Sequence, residues 1–161
     1  MLEQTLALFK PDVAKRHLTN DLLNEIKQAG FTIKATKECQ PSKHLLETHY
    51  NNISAQPFFP GVLAYMSSGP ITALILEKEN AIQDWRELMG ATNPIDAKEN
   101  TIRGQYGHKI QTSATIENLV HDSDSPENAK REIQLWFPKT NKAIDEYLNT
   151  WYTETECTRK V

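Results

Sequence analysis

A histidine set directly before a strong helix start constrains this chain more than any other feature. In Asn118-Leu119-Val120-His121-Asp122-Ser123-Asp124-Ser125-Pro126-Glu127, Ser125 is a natural N-cap and Pro126 a natural first helical residue. From there Ala129, Ile133 and Trp136 fall at spacings of four and three and form an apolar stripe. Glu132 lies beside that stripe, so its carboxylate is expected to point toward the core, where an unpaired charge is costly. The nearest partner within the motif is His121. A carboxylate bonded to one ring nitrogen fixes the tautomer and makes the other nitrogen a better nucleophile. A plainer reading has His121 ending a strand and Glu132 solvated on its helix, since many such pairs are only structural.

The size of the chain fits one domain with a sizeable core, at 161 residues. Eighteen basic residues stand against 21 acidic ones, for a net charge of −3. No basic run or stripe marks a nucleic-acid footprint, so nucleic acid is not an expected partner. No basic n-region precedes the first apolar segment, and the unbroken apolar runs are too short to span a membrane. A cytoplasmic location is expected, an organelle remaining open. Cys39 and Cys157 are far apart in sequence; they can in principle pair, but free thiols are the ordinary state of two cysteines in such a chain.

Thr5-Leu6-Ala7-Leu8-Phe9 is a continuous apolar run that suits a central strand, and Lys10-Pro11-Asp12 ends it. Thr19 is placed to cap the next helix, with Leu18 and Leu23 as a hydrophobic staple. Leu22, Leu23 and Ile26 make its inner face, and Gly30 suits its exit. Phe31, Ile33 and Ala35 then alternate with polar residues as in a half-buried strand. Residues 42–50 predict a helix; His44 and His49 on it lack a third ligand nearby, which argues against zinc. After Pro57-Phe58-Phe59-Pro60, a helix with Phe59, Val62, Leu63 and Met66 as its stripe is expected, and Phe58 lies off that stripe. Ile71 to Leu76 reads as a second central strand. Asn80 with Gln83 then gives a capping-box pattern before Ile82, Trp85 and Met89. Strand, helix and antiparallel strand in quick succession predict an α+β sandwich.

The wording N-x-x-H-x-S-D-S followed by E-I-x-L-W-F resembles the active-site signature of the nucleoside diphosphate kinases. K-P-D, H-Y, P-F-F-P-G, Y-M-S-S-G-P, L-M-G-A-T-N-P and T-I-R-G occur in that family's order, so the likeness covers nearly the whole chain to about Phe137. It implies a ferredoxin-like antiparallel sheet with helices packed on it. The implied kinase domain is residues 1–138, and 139–161 form a C-terminal extension of one helix and a mobile tail. The polar insert before the motif and the extended C-terminus resemble the divergent eukaryotic branch of the family.

The resemblance further implies transfer of the γ-phosphoryl group from a nucleoside triphosphate to a diphosphate by ping-pong chemistry. His121 would be the nucleophile, with Ser123 and Glu132 holding its ring and Tyr50 ordering the phosphate. Lys10 and Asn118 would contact the sugar hydroxyls, with Phe58 and Val62 around the base. Arg86, Thr92 and Arg103 would bind phosphate, together with Mg2+ carried on the nucleotide phosphates. No glycine-rich phosphate loop exists in the chain, and arginine offers a planar fork for phosphate oxygens. Residues 92–104 match a loop of the family that frames the nucleotide and makes subunit contacts, so a homo-oligomer is expected.

Three positions depart from the family pattern. Asp122 stands where glycine or another small residue is usual, and a carboxylate there repels phosphate unless it turns to solvent or meets a cation. Val13 replaces a small residue after K-P-D, and Glu99-Asn100 replaces Pro-Gly in the loop. A competing reading is therefore a nucleotide-binding scaffold or regulator that has kept the fold and lost efficient turnover.

Overall fold

The computed structural model describes residues 1–107 and 117–138, and the backbone of Cys157–Arg159. Strand β1 (Leu2–Phe9) is followed by helices α1 (Pro11–Lys15) and α2 (Thr19–Gln28), strand β2 (Thr32–Pro41), and helices α3 (Lys43–His49) and α4 (Phe59–Met66). Strand β3 (Ile71–Glu79), helix α5 (Ala81–Met89), a 3-10 turn (Pro94–Asp96) and helix α6 (Ile102–Tyr106) come next. Strand β4 (Val120–His121), helix α7 (Pro126–Trp136) and strand β5 (Cys157–Arg159) follow among the described residues. The sheet runs β4-β1-β3-β2-β5 with every neighbouring pair antiparallel. Its first four strands give the ferredoxin-like arrangement.

The unbroken apolar character of β1 follows from burial on both faces. Ala7 and Phe9 face α2 and α5 with Leu22, Ile26, Trp85 and Met89. Leu6 and Leu8 face the opposite layer with Leu45, Leu46, Met66 and Trp136 from α3, α4 and α7. The same alternation sends Val120 of β4 into the first layer, which turns His121 toward α7 in the second.

Several local expectations change. Pro11 begins a short helix where only a strand end was expected, because its fixed φ suits a first helical position. Leu18 and not Thr19 caps α2, without a side-chain bond. Asn80 does cap α5, but from a left-handed conformation (φ 56°) and without a side-chain bond. The Ile82 N–H instead donates to Glu3 Oε1 at 2.9 Å, so β1 supplies the cap. Cys39 is disulfide-bonded, in contrast to the free thiols expected.

The insert at 108–117, apart from Glu117, and the helix expected around residues 144–151 lie outside the described residues. Part of the tail expected to be mobile is strand β5, which pairs with the β2 edge at Cys39–Pro41; that edge offers unpaired backbone groups to any strand that reaches it. Among the described residues no helix is long and apolar enough to cross a membrane.

Candidate active site

The site is assembled on the segment Asn118–His121, and its backbone is held with unusual completeness. Leu119 has φ 71°, a rare conformation for a residue with a side chain. The Val120 N–H donates back to the Asn118 carbonyl at 2.8 Å, closing a three-residue γ-turn about it. Asp12 fixes that turn: Oδ2 accepts the Leu119 N–H at 3.1 Å, while Oδ1 accepts the Tyr65 hydroxyl at 2.7 Å. Four successive carbonyls of the segment are also taken. Arg103 Nε and Nη2 donate to Asn118 O and Val120 O, the Lys10 N–H to Leu119 O, and Trp85 Nε1–H to His121 O. Strain of this sort persists only where the surroundings over-determine it.

On this base His121 and Glu132 meet as expected. His121 Nε2 lies 3.0 Å from Glu132 Oε1 and 3.3 Å from Oε2, and Ser123 Oγ donates to Oε2 at 2.7 Å. Helix α7 places the carboxylate, beginning at Ser125, whose hydroxyl accepts the Asn128 N–H, with Pro126 at its first position. With Nε2–H donating to Glu132, the lone pair sits on Nδ1. That nitrogen has no hydrogen bond among the described residues, so it is the nucleophilic one. Burial pushes the ring well below its ordinary pKa of 6.5, and the cations Lys10 and Arg103 push the same way. Burial raises the Glu132 carboxyl, with His49 and the Ser123 bond opposing. The ring is therefore neutral at neutral pH.

The remaining expected residues divide into two groups. Lys10 Nζ donates to Asn118 Oδ1 at 2.7 Å, and burial, then Arg103, lowers its ammonium to about 7. Asn118 Nδ2 donates to the Thr92 carbonyl at 2.9 Å, tying the loop to the catalytic segment. Arg103, expected on phosphate, is buried, and its third nitrogen, Nη1, donates to Gly90 O. Two of its five N–H groups are left for a ligand. Tyr50 ends α3 edge-on to His121, ring centroids 6.4 Å apart, with burial raising its phenol. The other group is open: Phe58 is 57% exposed, Thr92 is exposed, and Val62 is half-buried. Arg86 is exposed too, and its Nε lies 3.4 Å from Asp122 Oδ2. Asp122 thus meets a cation. Tyr50, His121, Asp122, Arg131 and Glu132 line a cleft of about 340 Å³.

Sequence reasoning gave no role to Asp12, although the K-P-D motif contains it, or to His49 of H-Y. His49 is buried, packs edge-on against His121 with centroids 4.5 Å apart, and accepts the Trp136 Nε1–H on Nδ1 at 3.0 Å. Arg131 joins α7 to the end of α3 by donating to the Thr48 and His49 carbonyls. Leu119 has no sequence signal at all, since a leucine does not announce a positive φ.

His49, His121 and Glu132 also have metal-ligand spacing, with one atom each inside 4.8 Å. The tautomer argues against a metal there. A ring accepting on Nδ1 carries its proton on Nε2, the atom a metal would need. Two imidazoles also suit Mg2+ poorly, since it prefers oxygen ligands in an octahedron.

A buried carboxylate that fixes one imidazole nitrogen, beside arginine and lysine on a ferredoxin-like sheet, suits the chemistry of a phosphotransferase. The family model described as "Nucleoside diphosphate kinase" matches residues 3–142, and the chain belongs to that family. It is 47% identical over 138 residues to the nucleoside diphosphate kinase of Caldanaerobacter subterraneus subsp. tengcongensis, covering 86% of this chain and 96% of the relative. A Streptococcus pneumoniae nucleoside diphosphate kinase is 42% identical over 137 residues, 84% of this chain and 100% of that one. Among solved structures, the Aquifex aeolicus enzyme superposes with TM-score 0.78 at 36% identity, covering 85% of this chain and 96% of that one. The Halobacterium salinarum enzyme, solved in complex with CDP, gives TM-score 0.79 at 33% identity, covering 86% and 90%.

Proposed function

We propose that this chain transfers the γ-phosphoryl group of a nucleoside triphosphate to a nucleoside diphosphate through a phosphohistidine on His121 Nδ1. The observation that carries the reading is the 3.0 Å contact between His121 Nε2 and Glu132. The Nδ1 lone pair attacks the γ-phosphorus in line, the Nδ1–P bond forms, and the bond to the bridging oxygen breaks with its electron pair leaving on the diphosphate. The ring gains positive charge as this happens, and Glu132, held by Ser123, stabilises it across Nε2–H. A second diphosphate reverses the steps.

Phosphoryl transfer needs positioning and charge stabilisation more than covalent help. Arg86 and the two remaining N–H groups of Arg103 supply donors, and Lys10, Asn118 and Thr92 take the sugar and phosphate side. Magnesium bound to the nucleotide neutralises phosphate charge when the substrate is present. Phe58 offers a ring face, and stacking reads every base alike, so broad nucleotide use follows. The homo-oligomer expected from the loop at 92–104 has support in Ile95, an apolar residue that is 61% exposed on it. The scaffold reading rested on an uncompensated Asp122, and the Arg86 contact weakens that ground.

Incubation with γ-labelled ATP, followed by acid and alkali treatment, tests the proposal. Acid-labile, alkali-stable label is expected on the wild-type chain and none on His121→Ala, whose circular dichroism should be unchanged. Label retained by the alanine variant would place the nucleophile elsewhere.

A further inference from the structure

Asp122 is the charged exception in the catalytic motif. Its carboxylate shares the cleft of about 340 Å³ with His121, and its Oδ2 lies 3.4 Å from Arg86 Nε. Arg86 is the less constrained of the two arginines expected on phosphate. Its side chain is 56% exposed, while all three nitrogens of Arg103 are already bonded to backbone carbonyls. Burial raises the Asp122 carboxyl, Arg86 and Arg103 pull it back, and Glu132 opposes them. An anion thus already sits against the guanidinium that a phosphoryl group on the neighbouring residue would seek.

We propose that Asp122 competes with the phosphoryl group on His121 for Arg86, and so raises the phosphoenzyme in energy and its readiness to give that group to a diphosphate. The inference rests on the phosphohistidine reading above. Asp122 takes no part in bond making. The triphosphate's γ-phosphorus moves from the bridging oxygen to His121 Nδ1, the diphosphate leaves, and the proton stays on Nε2 throughout. What Asp122 alters is the charge around the product. Two negative groups share one guanidinium in the phosphoenzyme, whereas the free enzyme has one. A glycine at this position would leave Arg86 wholly to the phosphoryl group.

The readout is an equilibrium, which separates this role from a structural one. The full chain is titrated with mixtures of ATP and ADP at varied ratio, with magnesium, and the phosphorylated fraction is read by intact mass. Misfolded protein lowers the plateau of that titration, while its midpoint reports the equilibrium constant alone. Asp122→Asn should favour the phosphoenzyme by about three- to fivefold, the upper range for a partly exposed charge pair, and the gain should shrink at high salt. Asp122→Gly should move the midpoint in the same direction and serves if the asparagine variant does not fold. An unchanged midpoint, or one shifted toward free enzyme, overturns the inference and leaves the function standing. A wild-type chain that takes up no phosphoryl group overturns both.

Discussion

The two ends of the site are built in opposite ways. At the nucleophile end, four consecutive carbonyls from Asn118 to His121 accept hydrogen bonds from Arg103, Lys10 and Trp85. At the nucleotide end, Phe58 and Arg86 stand in solvent and Thr92 is exposed. The difference fits the proposed chemistry. In-line attack tolerates little error in the position of Nδ1, and a misplacement of 1 Å can cost about a hundredfold in rate. A base that is only stacked needs a flat surface and little else.

The largest effect should come from loosening the rigid end. Asp12→Ala removes the acceptor of the Leu119 N–H and of the Tyr65 hydroxyl, leaving both donors buried without it. Two hydrogen bonds to a buried carboxylate are together worth about 3 kcal/mol or more, so a large fall in melting temperature is expected. The surviving folded protein should also phosphorylate slowly, because Leu119 is no longer held in its left-handed turn. Normal phosphorylation per folded molecule would mean that the turn is stable without Asp12 and the contrast between the two ends is overstated.

How much of this was legible in sequence depends on distance along the chain. The α7 start was, because Ser125 and Pro126 act within one turn. So was the inward Glu132, because helical spacing alone fixes its side. The Asp12–Leu119 bond was not: it joins positions 107 apart, and nothing local at either end announces the other. The side-chain bond expected of the α5 cap is missing for the same reason. Asn80 and Gln83 give a fair capping box, yet Glu3 of the adjoining strand reaches the Ile82 N–H first. Arg103 was assigned to phosphate by its motif, and its backbone bonds become visible only once β4 is placed.

The open end should show a smaller and more even loss. Phe58→Ala removes a ring that is more than half exposed, so stability should hold. Nucleotide affinity should fall by about 1–3 kcal/mol, by a similar factor for purine and pyrimidine diphosphates in isothermal titration. A loss confined to one base would show edge recognition and make the rim more specific than its exposure suggests.

The smallest effect concerns His49, which belongs to the rigid end and should make it sensitive to acid. Trp136 donates to Nδ1, so that nitrogen cannot take a proton in the folded chain. Burial, then the neighbouring His121, also drives the ring's pKa well below 6.5, with Glu132 opposing. In the unfolded chain the same ring titrates near 6.5. Below that value the unfolded state binds more protons than the folded one, so stability is full above it and falls as the pH drops. The cost at pH 5.5 is about 1.4 kcal/mol from this residue. The raised carboxyls of Glu132 and Asp122 work in the other direction, since they take up protons more readily when folded. A difference measurement removes them. His49→Asn keeps an acceptor near the Nδ1 position and has nothing to titrate. Denaturant melts of both chains at pH 7.5 and 5.5 should show the wild type losing about 1.4 kcal/mol more than the variant on acidification. Equal losses would mean that His49 is protonated in the folded chain at pH 5.5, and that the Trp136 bond does not hold the ring neutral.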